Sequence, residues 1–349
     1  MSEAATTVYG IDLGTTYSCI AHVDETGKPH IVPNAEGDLT TPSVVLFETT
    51  SNRAVGKVAK NSAKLYPKAV AEMVKRQMGN AAWRFDYEGV DYRAEEISSY
   101  ILRKVVDDAT TFLGLETPIK DVVITCPAYF GIAEREATAR AGKIAGLTVR
   151  EVINEPTAAA ISFGMQDNHD QVVLVYDLGG GTFDVTMIEI KGGAITVVTT
   201  DGDKDLGGRD WDAAIVDYLV EEWTSDTGSS EDPTSSPETM QDLWQRAEDA
   251  KKALKALHET KVVVSHAGLS AGILLSRAKF DELTADKLER TIMFTKRALD
   301  SARARGYTKF DQLLLVGGST KMQQVPDRLT REFGIEPKSY EPDLAVAKG

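Results

Sequence analysis

The chain has 349 residues, 42% hydrophobic and 26% charged, the balance of a globular protein long enough for two domains or lobes. Its net charge of −14 argues against a nucleic-acid surface and against docking on anionic membrane. No apolar run approaches the roughly 18 residues of a membrane helix, and residues 1–7 lack a basic-then-apolar leader pattern. The two cysteines, Cys19 and Cys126, lie singly in apolar strands and read as buried thiols, so a cytoplasmic location is expected.

Residues 8–47 read as strands and turns. They open with Val8-Tyr9-Gly10-Ile11-Asp12-Leu13-Gly14-Thr15-Thr16-Tyr17-Ser18: an apolar strand, an Asp, a glycine-containing turn with Thr, then a return strand. That is a hairpin with a carboxylate at its corner. Strands at 30–32 and 43–47 flank a polar turn over 34–38. A helix is expected near 57–78 and another over 94–114, where Ile97, Tyr100, Ile101, Val105 and Phe112 recur at helical spacing. A continuous apolar strand over 121–126 is stopped by Pro127. A helix over 132–145, a strand over 147–153 and a helix opened by Pro156 follow, the grammar of a βαβ layer.

From Gln171 the grammar restarts. Val173-Leu174-Val175-Tyr176-Asp177-Leu178-Gly179-Gly180-Gly181-Thr182-Phe183-Asp184 nearly repeats the opening phrase. A strand over 194–200 precedes Gly207-Gly208, which enters a helix around 211–223. Residues 224–237, rich in Ser, Thr, Asp, Gly and Pro, read as a loop. Met240, Leu243, Trp244, Ala247, Leu254 and Leu257 mark a long amphipathic helix. Strands over 260–266 and 272–275, helices over 279–288 and 289–305, and a strand over 312–316 complete the pattern. The last strand runs into Gly317-Gly318-Ser319-Thr320. Two halves with matching openings predict a duplicated, two-lobed α/β protein with a cleft between.

Either hairpin alone could owe its Asp and Gly to turn chemistry. Written twice, the motif favours a clamp. Glycine turns let backbone N–H groups converge on phosphate without Lys or Arg, with Asp12 and Asp177 placed to hold a divalent cation. Glu155, between a strand and a helix, is either an acid favoured at a helix start or a group that orients water. Lys75, near a helix end, is either solvated or a charge-neutraliser for a transferring phosphoryl group. Thr15 and Thr182 offer hydroxyls beside the turns, and Gly317-Gly318-Ser319 suits close packing on a ribose or base. P-loop, Rossmann, metal-spaced His/Cys and nucleophile-elbow patterns are absent from the sequence.

Tyr9–Ser18 read as a phrase, together with Cys126-Pro127-Ala128-Tyr129-Phe130, Ile153-Asn154-Glu155-Pro156-Thr157-Ala158, the 177–184 phrase and Leu315-Val316-Gly317-Gly318-Ser319-Thr320, closely resemble the ATPase domain of the seventy-kilodalton heat-shock chaperones, the DnaK family. The resemblance runs from about Val8 to Gly349 with motifs in family order. It implies an actin-like ATPase fold with ribonuclease H-like duplicated lobes around a nucleotide cleft. Lobe I would span 1–167, with residues 1–40 and 114–167 as its inner subdomain and 41–113 as its outer one. Lobe II would span 168–349, with residues 168–206 and 289–349 as its inner subdomain and 207–288 as its outer one.

By the same resemblance, ATP or ADP binds with magnesium, potassium being a further cation. Asp12 and Asp177 would hold magnesium mostly through waters. Gly14, Thr15, Thr16 and Tyr17, with Gly179, Gly180 and Gly181, would cradle the phosphates. Lys75, Glu155 and Thr182 would serve hydrolysis, with Asp12 and Asp177. Gly208, Arg209, Glu248, Lys251, Lys252, Lys255, Gly317, Gly318, Ser319, Lys321 and Asp343 would surround the nucleoside. Pro127 and Arg135 match positions that relay nucleotide state to a C-terminal peptide-binding domain.

Four residues depart from the family pattern. Arg209 stands where an acid is usual near the ribose, Lys255 where a small hydroxyl residue meets the adenine, and Lys252 where Arg is common. Lys does not replace Arg for stacking on a base, so an altered, weaker nucleoside affinity is expected. Glu151 stands where bacterial members carry an Arg that docks a J-domain co-chaperone, which puts that partner in question, whereas a nucleotide-exchange factor is expected. The chain ends inside what the resemblance makes the closing helix, so it reads as a monomeric ATPase fragment without linker, peptide-binding domain or lid. Two other readings stay open: a small-molecule kinase of the same superfamily, and a non-hydrolysing nucleotide sensor or filament protein.

Overall fold

In a computed structural model of the chain, residues 7–164 and 169–349 are described. The expected lobe boundary at 167/168 lies outside the described residues.

Two large sheets carry the fold, and their strand orders match. In the first, Tyr9–Asp12 is central. On one side it pairs in parallel with Asp121–Cys126, which pairs in parallel with Thr148–Asn154. On the other it pairs antiparallel with Tyr17–Val23, which pairs antiparallel with Pro29–Val32. In the second sheet Gln171–Leu178 is central. It pairs in parallel with Gln312–Val316, and that strand with Lys338–Ser339. Its other side runs antiparallel to Phe183–Lys191 and then Ala194–Asp203. Parallel, parallel, antiparallel, antiparallel is thus written twice, with Asp12 and Asp177 at the ends of the two central strands. The central strands are apolar because both of their faces are covered; Val173, Leu174, Val175 and Tyr176 are wholly buried.

Separate cores fill the two lobes. Ile11, Ile97, Leu102 and Ile124 centre the first, and Trp211, Trp223, Leu174 and Phe183 the second. A third cluster joins them. The helix Glu155–Gly164, which continues from the first sheet, lays Ala158, Ala159, Ala160 and Phe163 on Val173, Val175 and Ile188 of the second. Reciprocally, the closing helix Ala345–Lys348 packs Ala347 on Cys19 and Ala21 of the first sheet. Gly10 admits this approach, since a Cβ there would run into the carbonyl of Ala347. Crossed helices therefore tie the lobes at the base and leave a cleft above.

The first helix expected near 57–78 is broken in the structure. Helix Lys57–Ser62 is followed by strand Val70–Ala71 and a 3-10 turn Val74–Gln77. Pro67 explains the break, because it lacks an N–H and turns the preceding residue away from helix. The expected loop over 224–237 is shorter than its composition suggests. Helix Gly208–Thr227 runs on to Gly228, whose φ of 63° closes it, and helix Pro237–Ala253 starts on a Ser236 cap. The helices expected over 279–288 and 289–305 fall at Arg277–Leu283 and Ala285–Arg303, parted at Thr284, whose hydroxyl donates to the Phe280 carbonyl at 2.7 Å.

Candidate functional site

Two corners face each other at the floor of the cleft. In the first, Gly14 is required because a Cβ would collide with the carbonyl of Tyr17. The turn is braced from outside: the Ser43 hydroxyl donates to the Gly14 carbonyl and the Ser43 N–H to the Thr16 carbonyl, both at 2.8 Å. In the second corner the Gly179 N–H donates to the Thr182 carbonyl at 3.0 Å, closing the turn on itself. All three glycine carbonyls are taken. Gly208 N–H and the Ser319 hydroxyl donate to Gly179, Arg209 N–H to Gly180, and the Arg76 Nε–H to Gly181. With these carbonyls taken and the Gly179 N–H spent within the turn, the Gly180 and Gly181 N–H groups are the donors left for an anion. Added Cβ atoms on Gly180 and Gly181 would strike Thr16 and Thr15 of the first corner. The two turns are in contact.

Above them lies a cavity of about 770 Å³. Asp12, Gly14, Thr15, Thr16, Tyr17, Lys75, Glu155, Asp177, Gly179, Gly180 and Thr182 line its floor. Arg209, Glu248, Lys251, Lys252, Lys255, Gly317, Gly318, Ser319, Lys321 and Asp343 line the rest. Of the residues expected to meet nucleotide or metal, Gly181 and Gly208 alone are absent from the wall. Both sit just behind it: Gly181 against Thr15, and Gly208 against Ser319 and Lys251. Gly317, at φ 83°, makes a close approach that a side chain would block with Asp177 Oδ1 and the Leu178 carbonyl.

Lys75 and Glu155 form a buried pair, each 7% exposed, with Nζ 2.5 Å from Oε1. Burial alone would pull the Lys75 ammonium down, but Glu155 and Asp12 beside it outweigh that and hold it above the ordinary lysine range. Asp12 is pushed up to about 7 by desolvation first and then by Glu155, even though Lys75 and the Thr125 hydroxyl, 3.2 Å from Oδ1, oppose the shift. Asp177 is raised well above the usual carboxylate range by burial, Glu155 and Asp12. Asp184 is raised by burial, Glu155 and Asp177, and its Oδ1 is buried without a hydrogen-bond partner. Four acids against one lysine is an uncompensated negative site, the condition in which a divalent cation is favoured. Among the described residues no group of three or more His, Cys, Asp or Glu is placed to hold an ion directly.

The wall that carries Arg209, Lys251, Lys252, Lys255 and Lys321 is rich in cations, most of them tied down. Lys251 Nζ lies 2.7 Å from Asp212 and donates to the Gly208 carbonyl at 3.0 Å. Lys252 lies 2.6 Å from Glu248, which also receives Lys60 from the facing lobe at 2.6 Å. The Tyr17 side chain joins that group, its hydroxyl accepting from Lys60 at 3.1 Å and from Lys252 at 3.3 Å. Burial would raise Glu248, but Lys60 and Lys252 bring it down to about 2. Lys255 is exposed on the wall, and Lys321 pairs with Asp343 at the rim. Arg209 does not point an open guanidinium into the cavity. It donates to Glu72 at 2.9 Å and lies 3.5 Å over the Trp244 ring.

Sequence reasoning missed Arg76, Asp184, Thr125, Glu72 and Trp244 as site residues. Asp184 was within reach, since it lies inside the repeated phrase, on the return strand opposite Asp177. The other four act through contacts far apart in sequence and carry no local pattern.

Against this geometry, the family model described as Hsp70 protein matches residues 8–86 and 80–349. The chain belongs to the Hsp70 family, whose members are ATPases with the actin-like ATPase fold.

Proposed function

We propose that this domain binds ATP in the cleft, hydrolyses it slowly to ADP and phosphate, and converts nucleotide state into closure of its two lobes. The observation that carries the reading is the pair of touching corners, with Asp12 and Asp177 at one cavity floor beside the buried Lys75–Glu155 pair. Phosphoryl transfer asks little covalent chemistry of a protein and much positioning and charge stabilisation. The two glycine turns supply amide donors for the phosphate oxygens. Lys75 offers its remaining ammonium donors to the transferring group, while Glu155, held in place by Lys75, orients water for attack. The Thr182 hydroxyl lines the same floor. A magnesium ion bound between Asp12 and Asp177 through water would neutralise phosphate charge. Closure follows from the pairs that span the mouth, Lys60–Glu248 at 2.6 Å and Lys64–Asp242 at 2.9 Å.

A peptide-binding region and co-chaperones would read the lobe motion, and Pro127 and Arg135 stand in the relay. Arg135 donates to the Phe130 carbonyl at 2.9 Å and to Asn154, next to Glu155. Glu151 is exposed on the neighbouring strand, where its charge disfavours the usual J-domain contact.

Calorimetric titration with ATP, ADP and GTP, each with magnesium, tests the reading alongside phosphate release at saturating ATP. Binding of ATP and ADP with slow phosphate release is expected. Absence of nucleotide binding would sink the proposal, and tight binding without release would reduce the domain to a sensor.

A further inference from the structure

The segment that carries Lys75 is tied on both flanks to the other lobe. Lys75 itself turns inward to Glu155. Glu72, on one side, accepts from Arg209 Nη2 at 2.9 Å. Arg76, on the other, donates to the Gly181 carbonyl at 2.7 Å and lies 2.5 Å from Asp210. Arg209 and Asp210 are neighbours in the first turn of helix Gly208–Thr227, whose Gly208 and Arg209 amides hold the second glycine turn. Two ion pairs therefore cross the cleft as rungs of opposite polarity, acid to base and then base to acid. Exchanging partners between rungs would set Glu72 against Asp210 and Arg76 against Arg209, so only one seating satisfies both.

Trp244 makes the Glu72 rung directional. Its ring, on helix Pro237–Ala253, carries the Arg209 guanidinium 3.5 Å from the ring centroid, and the planar fork then projects to Glu72. Between Glu72 and Lys75 stands Met73 at φ 60°, a left-handed conformation unusual for a side chain with Cγ and one that its surroundings must hold in place. A strained residue with a tie on one side and the working lysine on the other is a lever.

Resting on the ATPase reading above, we propose that Arg209 is a positioning residue for hydrolysis. Through Glu72, and steered by Trp244, it fixes the Lys75 segment against the second glycine turn, so that closing the cleft and seating the Lys75 ammonium are one event. Arg209 thereby acts on rate more than on nucleotide affinity.

The test is a double-mutant cycle on the full chain, with Glu72→Gln, Arg209→Gln and the two combined, plus Trp244→Leu as an independent variant. The readouts are single-turnover hydrolysis of prebound ATP and the ATP dissociation constant, with thermal melts to establish folding. Each Gln variant should slow the single turnover by about tenfold, as displacing a catalytic group slightly does. The double variant should be no slower than the worse single, Trp244→Leu should slow it about threefold, and ATP affinity should move by less than about threefold. Wild-type rates in the singles, multiplicative slowing in the double, or an affinity loss that accounts for the whole effect would each overturn the assignment. Failure of the unaltered chain to bind ATP would instead overturn the ATPase reading on which it rests.

Discussion

The two corners follow one strand plan yet divide the work unequally. The first uses a single glycine and is braced from outside by Ser43, whereas the second uses three and has every glycine carbonyl engaged by donors. The first leaves Asp12 partly exposed, while Asp177 is 7% exposed; burial raises both carboxyls above their ordinary range. Each lobe then adds different chemistry beyond its sheet. The segment after the first corner brings Lys75, and the helices after the second bring Arg209, Lys251 and Glu248. Duplication thus supplies two matched corners at the cavity floor, and the insertions make that floor asymmetric.

The strongest way to break that division is to remove the lysine that only the first lobe owns. Lys75→Ala should lower hydrolysis by about a hundredfold or more, the scale on which a single charge-stabilising donor acts. ATP should remain bound, because the glycine turns are untouched. Loss of the ammonium also strands Glu155 in a buried site, a costly state, so Lys75→Ala/Glu155→Gln should fold more stably than Lys75→Ala while hydrolysing no faster. Phosphate release and thermal melts decide both points. Hydrolysis at the original rate in Lys75→Ala would remove that residue from the mechanism.

The glycines sharpen the contrast between the corners. Gly14→Ala drives a Cβ into a backbone carbonyl of its own turn, and Gly180→Ala drives one into Thr16 of the facing corner. Gly179→Ala meets nothing nearer than the Thr182 carbonyl at 3.5 Å, an ordinary contact. If the turns cradle phosphate as proposed, the first two should lose about tenfold or more in ATP affinity by displacing their amides, whereas Gly179→Ala should stay within about twofold. Calorimetry on the three variants would rank them, and equal losses at all three would mean that the glycines serve flexibility instead of contact.

The strand plan and the corners are legible in the sequence because each is local. Period, apolar runs and the Asp-to-Gly phrase lie within a few residues, and Asp121–Cys126 and Gln312–Val316 fall where the sequence places them. The continuous helix expected over 57–78 fails because Ala and Lys content there favours helix while Pro67 forbids it, and the structure follows the proline. The loop expected over 224–237 is too long because Asp232, Pro233, Ser236 and Pro237 resemble loop composition although they serve as caps and first-turn residues. Only resemblance puts Arg209 at the ribose. Its partners, Glu72 and Trp244, are brought to it by folding, and no spacing rule announces such a triad.

A smaller effect concerns the two aspartates together. A carboxyl whose folded pKa exceeds its unfolded value near 3.9 binds its proton more tightly when folded, so the stability it allows is full at low pH. That stability is lost as pH rises from about 4 through the folded value, which for Asp12 is about 7. Neutralising either corner should therefore raise the melting temperature of the nucleotide-free protein at pH 8, by about 2 °C for Asp12→Asn and in the same direction for Asp177→Asn. Both changes should abolish the dependence of ATP affinity on magnesium. A lower melting temperature in both variants would mean that the carboxylates stabilise the fold, against the direction of their shifts.

The smallest expected effect lies at the mouth, where the sign reverses. Glu248 is held down to about 2, so the interaction with Lys60 and Lys252 is fully present above the unfolded value near 4.3 and is lost only as pH falls through 2. Nucleotide release governed by this pair should stay flat between about pH 5 and 8, while magnesium-dependent affinity governed by Asp12 climbs as pH passes 7. Glu248→Gln should speed release of a fluorescent ADP by a few-fold, with the difference shrinking at high salt, since partly exposed ion pairs contribute modestly and are screened. Release that tracked the same pH midpoint as magnesium binding would place both lobes under one titrating group, and the separation between a pH-sensitive floor and an insensitive mouth would fail.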